Sequence, residues 1–255
     1  MDNDQERTEL GGGQHKQVHQ TAGVRTPPAE GPLTNDRGVY ILYFIAGFPL
    51  LLRSSLIVPA NTVATAAKIM SSQVLYRITM VTDLVSYALY LGLAYLFYLL
   101  LRHVNRPWAV LGALFTVAGC IVLIVATSLL SAPLALLTGD FYRATSLPQR
   151  QELALLAIKI YNQAFVIGLL LFGLQWLIMG PLFALSRVVP RAVGFLLTAG
   201  GIAWVAFAVA SLIAPPVGAA MRPFVLAIGS LAEIALAVSL LMRGMKAGSL
   251  SLSRG

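Results

Sequence analysis

The stretch Ile78–Leu101, ITMVTDLVSYALYLGLAYLFYLLL, runs for 24 residues with a single charge, Asp83. A largely uncharged run of about 18 or more residues is what a membrane-spanning helix needs, because a hydrocarbon core of about 30 Å takes about 20 residues at about 1.5 Å each. Five more stretches share the pattern: Val39–Val58, Trp108–Leu130, Ile160–Ser186, Ala192–Ala214 and Pro223–Met242. Together they predict an all-α fold, a bundle of six transmembrane helices. With 58% hydrophobic and only 11% charged residues, the chain lies outside the balance of a soluble domain.

The formal charge of +8 does not indicate nucleic-acid binding. Most Lys and Arg residues are scattered near helix ends, where they meet lipid headgroups, and no basic cluster interleaved with aromatics exists. A single cysteine, Cys120, lies within an apolar stretch, so no intramolecular disulfide framework is available. Residues 1–37 are polar, contain Gly11-Gly12-Gly13 and Pro27-Pro28, and carry six of the ten acidic residues. They are expected to be a disordered cytoplasmic tail. The membrane domain then spans 38–247, and 248–255 form a short C-terminal tail.

Positive charge sets the expected orientation. The short basic connections Arg102–Arg106 and Arg187–Arg191, with Arg243 and Lys246, mark a cytoplasmic side that holds both termini. Longer, charge-dilute loops, Pro59–Arg77, Ala132–Gln151 and Pro215–Arg222, fall on the opposite side. Pro59, Pro133 and Pro215-Pro216 are expected to stop helices there, whereas Pro107, Pro190 and Pro223 open new ones. Pro181 is expected to bend or end the fourth helix. A short surface helix over Asn61–Met70 is predicted after Pro59, capped by Asn61 or Thr62.

Two acids lie inside spans. Glu233 is ten residues from Arg243, about 15 Å from the inner face and close to the midplane. An ionised carboxylate facing lipid there is costly, so it must be neutral, paired or turned inward. Gly229 and Ala237, one turn to either side, form a small–Glu–small stripe that lets a neighbouring helix approach. Gln175 lies at a similar depth, about 18 Å by the same count, and is a candidate hydrogen-bond partner for Glu233. Asp83 stands about 28 Å outward of Arg102, in a stripe of Tyr76, Thr79, Asp83, Tyr87 and Tyr90 at spacings of three and four. Arg53, at about 24 Å on the preceding helix, is its natural partner, with Lys159 and Arg77 as alternatives.

Other chemistry is excluded by composition. Of three histidines, His15 and His19 lie in the tail and His103 at a helix end, so neither a bis-histidine haem nor a histidine-rich metal site can form within the membrane. There is no phosphate-binding glycine loop, no H-E-x-x-H and no intramembrane Ser–His pair. Asp140 and Glu152 are isolated loop acids. No catalytic residue, metal or cofactor is therefore expected.

An ordered series of short motifs follows the spans: Leu56-Ile57-Val58-Pro59-Ala60-Asn61, Tyr76-Arg77, Val81-Thr82-Asp83-Leu84 and Leu101-Arg102-His103-Val104-Asn105-Arg106-Pro107, then Leu171-Phe172-Gly173-Leu174, Gly180-Pro181-Leu182, Pro190-Arg191-Ala192-Val193-Gly194 and Leu241-Met242-Arg243-Gly244. Over about residues 38–247 the chain resembles a bacterial integral-membrane family catalogued as domain of unknown function 4386. The resemblance implies a six-helix membrane protein and lends weight to Asp83 and to the loop after Pro59. The chain departs from the family's usual glycine after the Val-Pro pair, carrying Ala60 instead.

The leading expectation is a non-enzymatic inner-membrane protein that binds or transports a small or lipid-like molecule. Arg53, Asp83 and Tyr87 would contact it near the outer face, while Gln175 and Glu233 form a deep polar pair. A structural or assembly partner of another membrane protein is the alternative, and an intramembrane enzyme comes third. Apart from these, the expected company is the lipid bilayer, not nucleic acid.

Overall fold

The computed structural model describes residues 53, 55–58, 61–139 and 145–252, with side chains described up to Met242. Among the described residues seven α-helices follow one another: α1 Thr62–Ser71, α2 Gln73–Leu101, α3 Arg106–Thr127, α4 Ser131–Thr138, α5 Leu147–Ser186, α6 Arg191–Ile213 and α7 Pro215–Leu252. No strand occurs among the described residues. Among the described residues five helical stretches are long and apolar enough to cross a membrane: Gln73–Leu101, Arg106–Thr138, Leu147–Ser186, Arg191–Ile213 and Pro215–Met242. The sixth expected span, Val39–Val58, lies outside the described residues except for Arg53 and 55–58, as do the expected tail and Ala60.

Local sequence explains most of the boundaries. Asn61 caps α1 by accepting from the Ala64 amide at 2.8 Å, as its side chain predicts. Asn105 caps α3 from the Trp108 amide at 3.3 Å, with Pro107 in the first turn. Ser146 and Gln149 form a capping box at the start of α5. That helix ends on Arg187 in the left-handed region, φ 56°, and Pro190 precedes α6.

Proline departs from expectation at Pro133 and Pro223, whereas α6 ends at Ile213 just ahead of Pro215-Pro216, as expected. Pro133 does not stop the third span; a 3-10 turn, Ser128–Leu130, carries α3 into α4, and Pro133 falls in the first turn of α4. There its missing N–H has no intrahelical partner to lose. The expected loop Pro215–Arg222 is helical. Pro215 and Pro216 occupy the opening positions of α7, where proline is pre-organised, and Pro223 lies inside the helix. Only Ala214 separates α6 from α7, and its carbonyl accepts from the Val217 and Gly218 amides at 2.9 and 3.2 Å. Likewise α5 continues past Pro181 to Ser186. At Pro181 and Pro223, inside their helices, one hydrogen bond is lost, while the surrounding helix still satisfies its other backbone groups, as an apolar medium demands.

Packing between helices depends on small residues. Gly173 and Gly180 on α5 face Gly201 and Gly194 on the antiparallel α6, at seven-residue spacing on both helices. A Cβ added at Gly201 would lie 2.8 Å from the Gly173 carbonyl oxygen, and one at Gly180 would lie 2.9 Å from that of Gly194. The two backbones therefore touch along this seam. Lipid is as apolar as leucine, so such close van der Waals contact, not burial from water, holds membrane helices together. Elsewhere Trp204 covers Gly229, and Phe172 fills the space over Gly119.

Two apolar cores result. The larger joins α2, α3, α5, α6 and α7 through Phe97, Leu123, Trp176, Phe183, Leu197 and Leu236. The smaller joins the residues before α1 with α1, α2, α4 and α5 through Leu56, Ile69, Tyr76, Leu134, Ile158 and Tyr161. At 40 residues, α5 is about 60 Å long, twice a hydrocarbon thickness of about 30 Å. It thus belongs to both cores.

Candidate functional site

Arg53 stands at the junction of these cores. The chain just beyond it is tied down by α1. Thr65 Oγ1 accepts from the Val58 amide at 3.0 Å and donates to the Val58 carbonyl at 3.1 Å, and Lys68 Nζ donates to the Ser55 carbonyl at 3.0 Å. A lysine and a threonine of α1 thus hydrogen-bond the backbone at Ser55 and Val58.

Arg53 is 2% exposed and Asp83, on α2, is 5% exposed. They form an ion pair through Arg53 Nη1 and Asp83 Oδ2, the partner that helical counting gives for Asp83. Tyr161 of α5 completes the cluster. Its hydroxyl accepts from Arg53 Nη2 at 2.8 Å and donates to Asp83 Oδ2 at 3.3 Å, while its ring lies beneath the guanidinium at 4.8 Å. Tyr87 adds a side-chain polar interaction with the Tyr161 hydroxyl. The cluster therefore joins three segments: the one before α1, α2 and α5. Removing both charges from water is expensive, and only close pairing with further hydrogen bonds offsets that cost. Every group needed for such compensation is present.

The tyrosine stripe is largely inward-facing: Tyr76, Thr79, Asp83 and Tyr90 are buried and Tyr87 is half-buried. Tyr76 is fully buried, yet its hydroxyl has no hydrogen-bond partner among the described residues.

The second expected pair is not formed. Gln175 is fully buried, but its Nε2 donates to the Tyr90 hydroxyl at 3.5 Å, and its Oε1 has no partner among the described residues. Equal depth did not bring it to Glu233, because the Gln175 face of α5 looks toward α2. Glu233 is half-buried on α7 between the buried Gly229 and Ala237, the turn beside Gly229 packing on Trp204 of α6. Asp140 lies outside the described residues and Glu152 is exposed. No group of three His, Cys, Asp or Glu residues suited to a metal occurs among the described residues.

One turn from the Tyr161 cluster, a partly open cavity of about 140 Å³ lies among α5, α6 and α7. Its lining combines the polar Asn162, Ser211 and Arg222 with the apolar Phe165, Leu169 and Phe207. Tyr161 stacks on Phe165, with ring centroids 6.4 Å apart, so cluster and cavity share a wall. Gly218 permits this corner: a Cβ there would lie 2.6 Å from the Ser211 Cα. Sequence reasoning missed Tyr161, Asn162 and Ser211. It placed Arg222 in a loop, whereas Arg222 lies on α7.

Residues 38–244 match the family described as Domain of unknown function (DUF4386), and the chain belongs to it. No curated protein and no solved structure matches the chain.

Proposed function

We propose that this is a non-enzymatic, six-span protein of the bacterial inner membrane that binds a small or lipid-like molecule. Both termini are cytoplasmic in this reading, which the basic density of 102–106 and 187–191 supports. The observation that carries the proposal is the partly open cavity lined mainly by apolar side chains with a few polar ones, the usual make-up of a small-molecule site. Arg53, Asp83 and Tyr87 then serve the site from behind. Their charges satisfy one another, and through Tyr161 and Phe165 they hold the α5 wall in place.

Native mass spectrometry of the protein in lipid nanodiscs tests this directly. A defined adduct at unit stoichiometry is expected, and its absence removes the binding reading. The second reading, a structural partner of another membrane protein, is favoured by the burial and mutual satisfaction of Arg53 and Asp83. It predicts that the adduct is absent and that loss of Asp83 lowers stability alone.

A further inference from the structure

The geometry points to an anionic headgroup on a single acyl chain as the occupant of the cavity among α5, α6 and α7, with Arg222 as its counter-charge. This rests on the binding reading above and specifies its guest.

Among the described residues Arg222 is the one charged residue lining the cavity, and no acidic residue lines it. Among the described residues Arg222 forms no ion pair. Its guanidinium is suited to grip a carboxylate or phosphate with two parallel hydrogen bonds, and Asn162 and Ser211 supply neutral donors beside it. Phe165 and Leu169 follow Asn162 on α5 and Phe207 precedes Ser211 on the antiparallel α6, so the hydrocarbon lining lies one to two turns farther along the helices from Arg222. This division into charge at one end and hydrocarbon at the other selects an amphiphile over a polar metabolite.

Depth agrees. Positions 222 and 243 of the continuous α7 are 21 residues apart, about 31 Å along the axis, one hydrocarbon thickness. With position 243 at one interface, Arg222 lies at the other, where headgroups reside. Volume sets the size of the part enclosed. A cavity of about 140 Å³ matches the engineered apolar cavities of about 150 Å³ that admit benzene, and it is far below the several hundred Å³ of a site that swallows a whole ligand. Headgroup and first carbons fit, and the rest of a single chain must run out along the membrane-facing surface. The shared chemistry is a carboxylate or phosphate monoanion, from a free fatty acid or a lysophospholipid.

The full-length protein, stripped of bound lipid and placed in nanodiscs of neutral phosphatidylcholine, is titrated with palmitate, 1-palmitoyl lysophosphatidate and uncharged 1-palmitoylglycerol, with bound equivalents read by native mass spectrometry. Wild type is expected to take one equivalent of at least one anion and to bind palmitoylglycerol about tenfold more weakly or worse. R222Q should lose at least about tenfold in affinity for the anion and leave palmitoylglycerol unchanged. L169W, which fills the apolar part of the cavity, should weaken all three. Preference between the two anions identifies the source. Equal binding of the neutral ester, or anion binding untouched in a folded R222Q, overturns the headgroup assignment while leaving the binding function standing. Only non-saturable association of all three probes, as for bulk lipid at an interfacial arginine, removes both.

Discussion

Replacing Asp83 with alanine removes the carboxylate that faces Arg53 and leaves the buried guanidinium without its counter-charge. Breaking a buried pair from one side costs about 3–5 kcal/mol, because the remaining charge keeps its desolvation penalty without its partner. Tyr161 still accepts from Arg53 at 2.8 Å, which places the expected loss near the lower end, about 3 kcal/mol. For a domain of this size each kcal/mol shifts the melting temperature by about 2–4 °C, so Asp83→Ala should melt about 6–12 °C below wild type. Asp83→Asn retains an acceptor oxygen for Arg53 and should fall between the two. The double variant Arg53→Met with Asp83→Leu removes both charges and should recover most of the loss, since apolar replacement of a whole buried pair is often neutral or better. Thermal unfolding in maltoside micelles, followed by tryptophan fluorescence, reads all four proteins. An Asp83→Ala variant as stable as wild type, or a double variant no better than the single, refutes the claim that this pair fastens the segment before α1 to α2 and α5.

Two tyrosines of the same region should behave oppositely. Tyr161→Phe loses hydrogen bonds to two charged groups and should cost about 1.5–3 kcal/mol; Tyr76→Phe removes a buried hydroxyl with no partner among the described residues and should be neutral or stabilising in the same melts. Two glycines make a similar contrast. A Cβ at Gly201 meets the Gly173 carbonyl and the Leu177 amide nitrogen within 2.9 Å, so Gly201→Ala should cost about 1–3 kcal/mol, while Gly92, with nothing within 4 Å, should gain about 0.5–1 kcal/mol as alanine. Asn61→Ala removes the α1 cap and should cost about 1 kcal/mol; limited proteolysis between α1 and α2 offers a second readout.

The Arg53–Asp83 pair was legible because each residue is the lone charge inside its own apolar stretch. Counting 1.5 Å per residue from the nearest basic end placed them within a few ångströms. Tyr161 was not legible in this way. The apolar stretch begins at Ile160, which made Tyr161 look like a helix end, whereas α5 starts at Leu147 and Tyr161 lies well inside it. The first turns of α5 hide from a hydropathy reading because they are polar and mostly exposed, and only from Ala154 onward does the helix bury residues. Pro133 and Pro223 misled for a related reason. Proline near a helix start costs little, and one inside a long apolar helix forfeits a single bond, so neither must end the element. The Gln175–Glu233 pair failed because depth fixes height along a helix but not the direction a side chain faces. The seam of Gly173, Gly180, Gly194 and Gly201 left a visible trace, two glycines seven apart on each of two helices. Its meaning depends on which helices are neighbours, and that appears only in the fold.

The central claim is that the chain holds a guest, and native mass spectrometry of wild type beside Asp83→Ala in nanodiscs meets it most directly. Wild type should carry one defined adduct above the bulk-lipid distribution. The Asp83→Ala protein, with its α5 wall loosened, should carry less of it at the same temperature. Bulk lipid alone on wild type, with Asp83→Ala differing only in its melting temperature, contradicts the account and makes the buried pair a fastening of helices and nothing more.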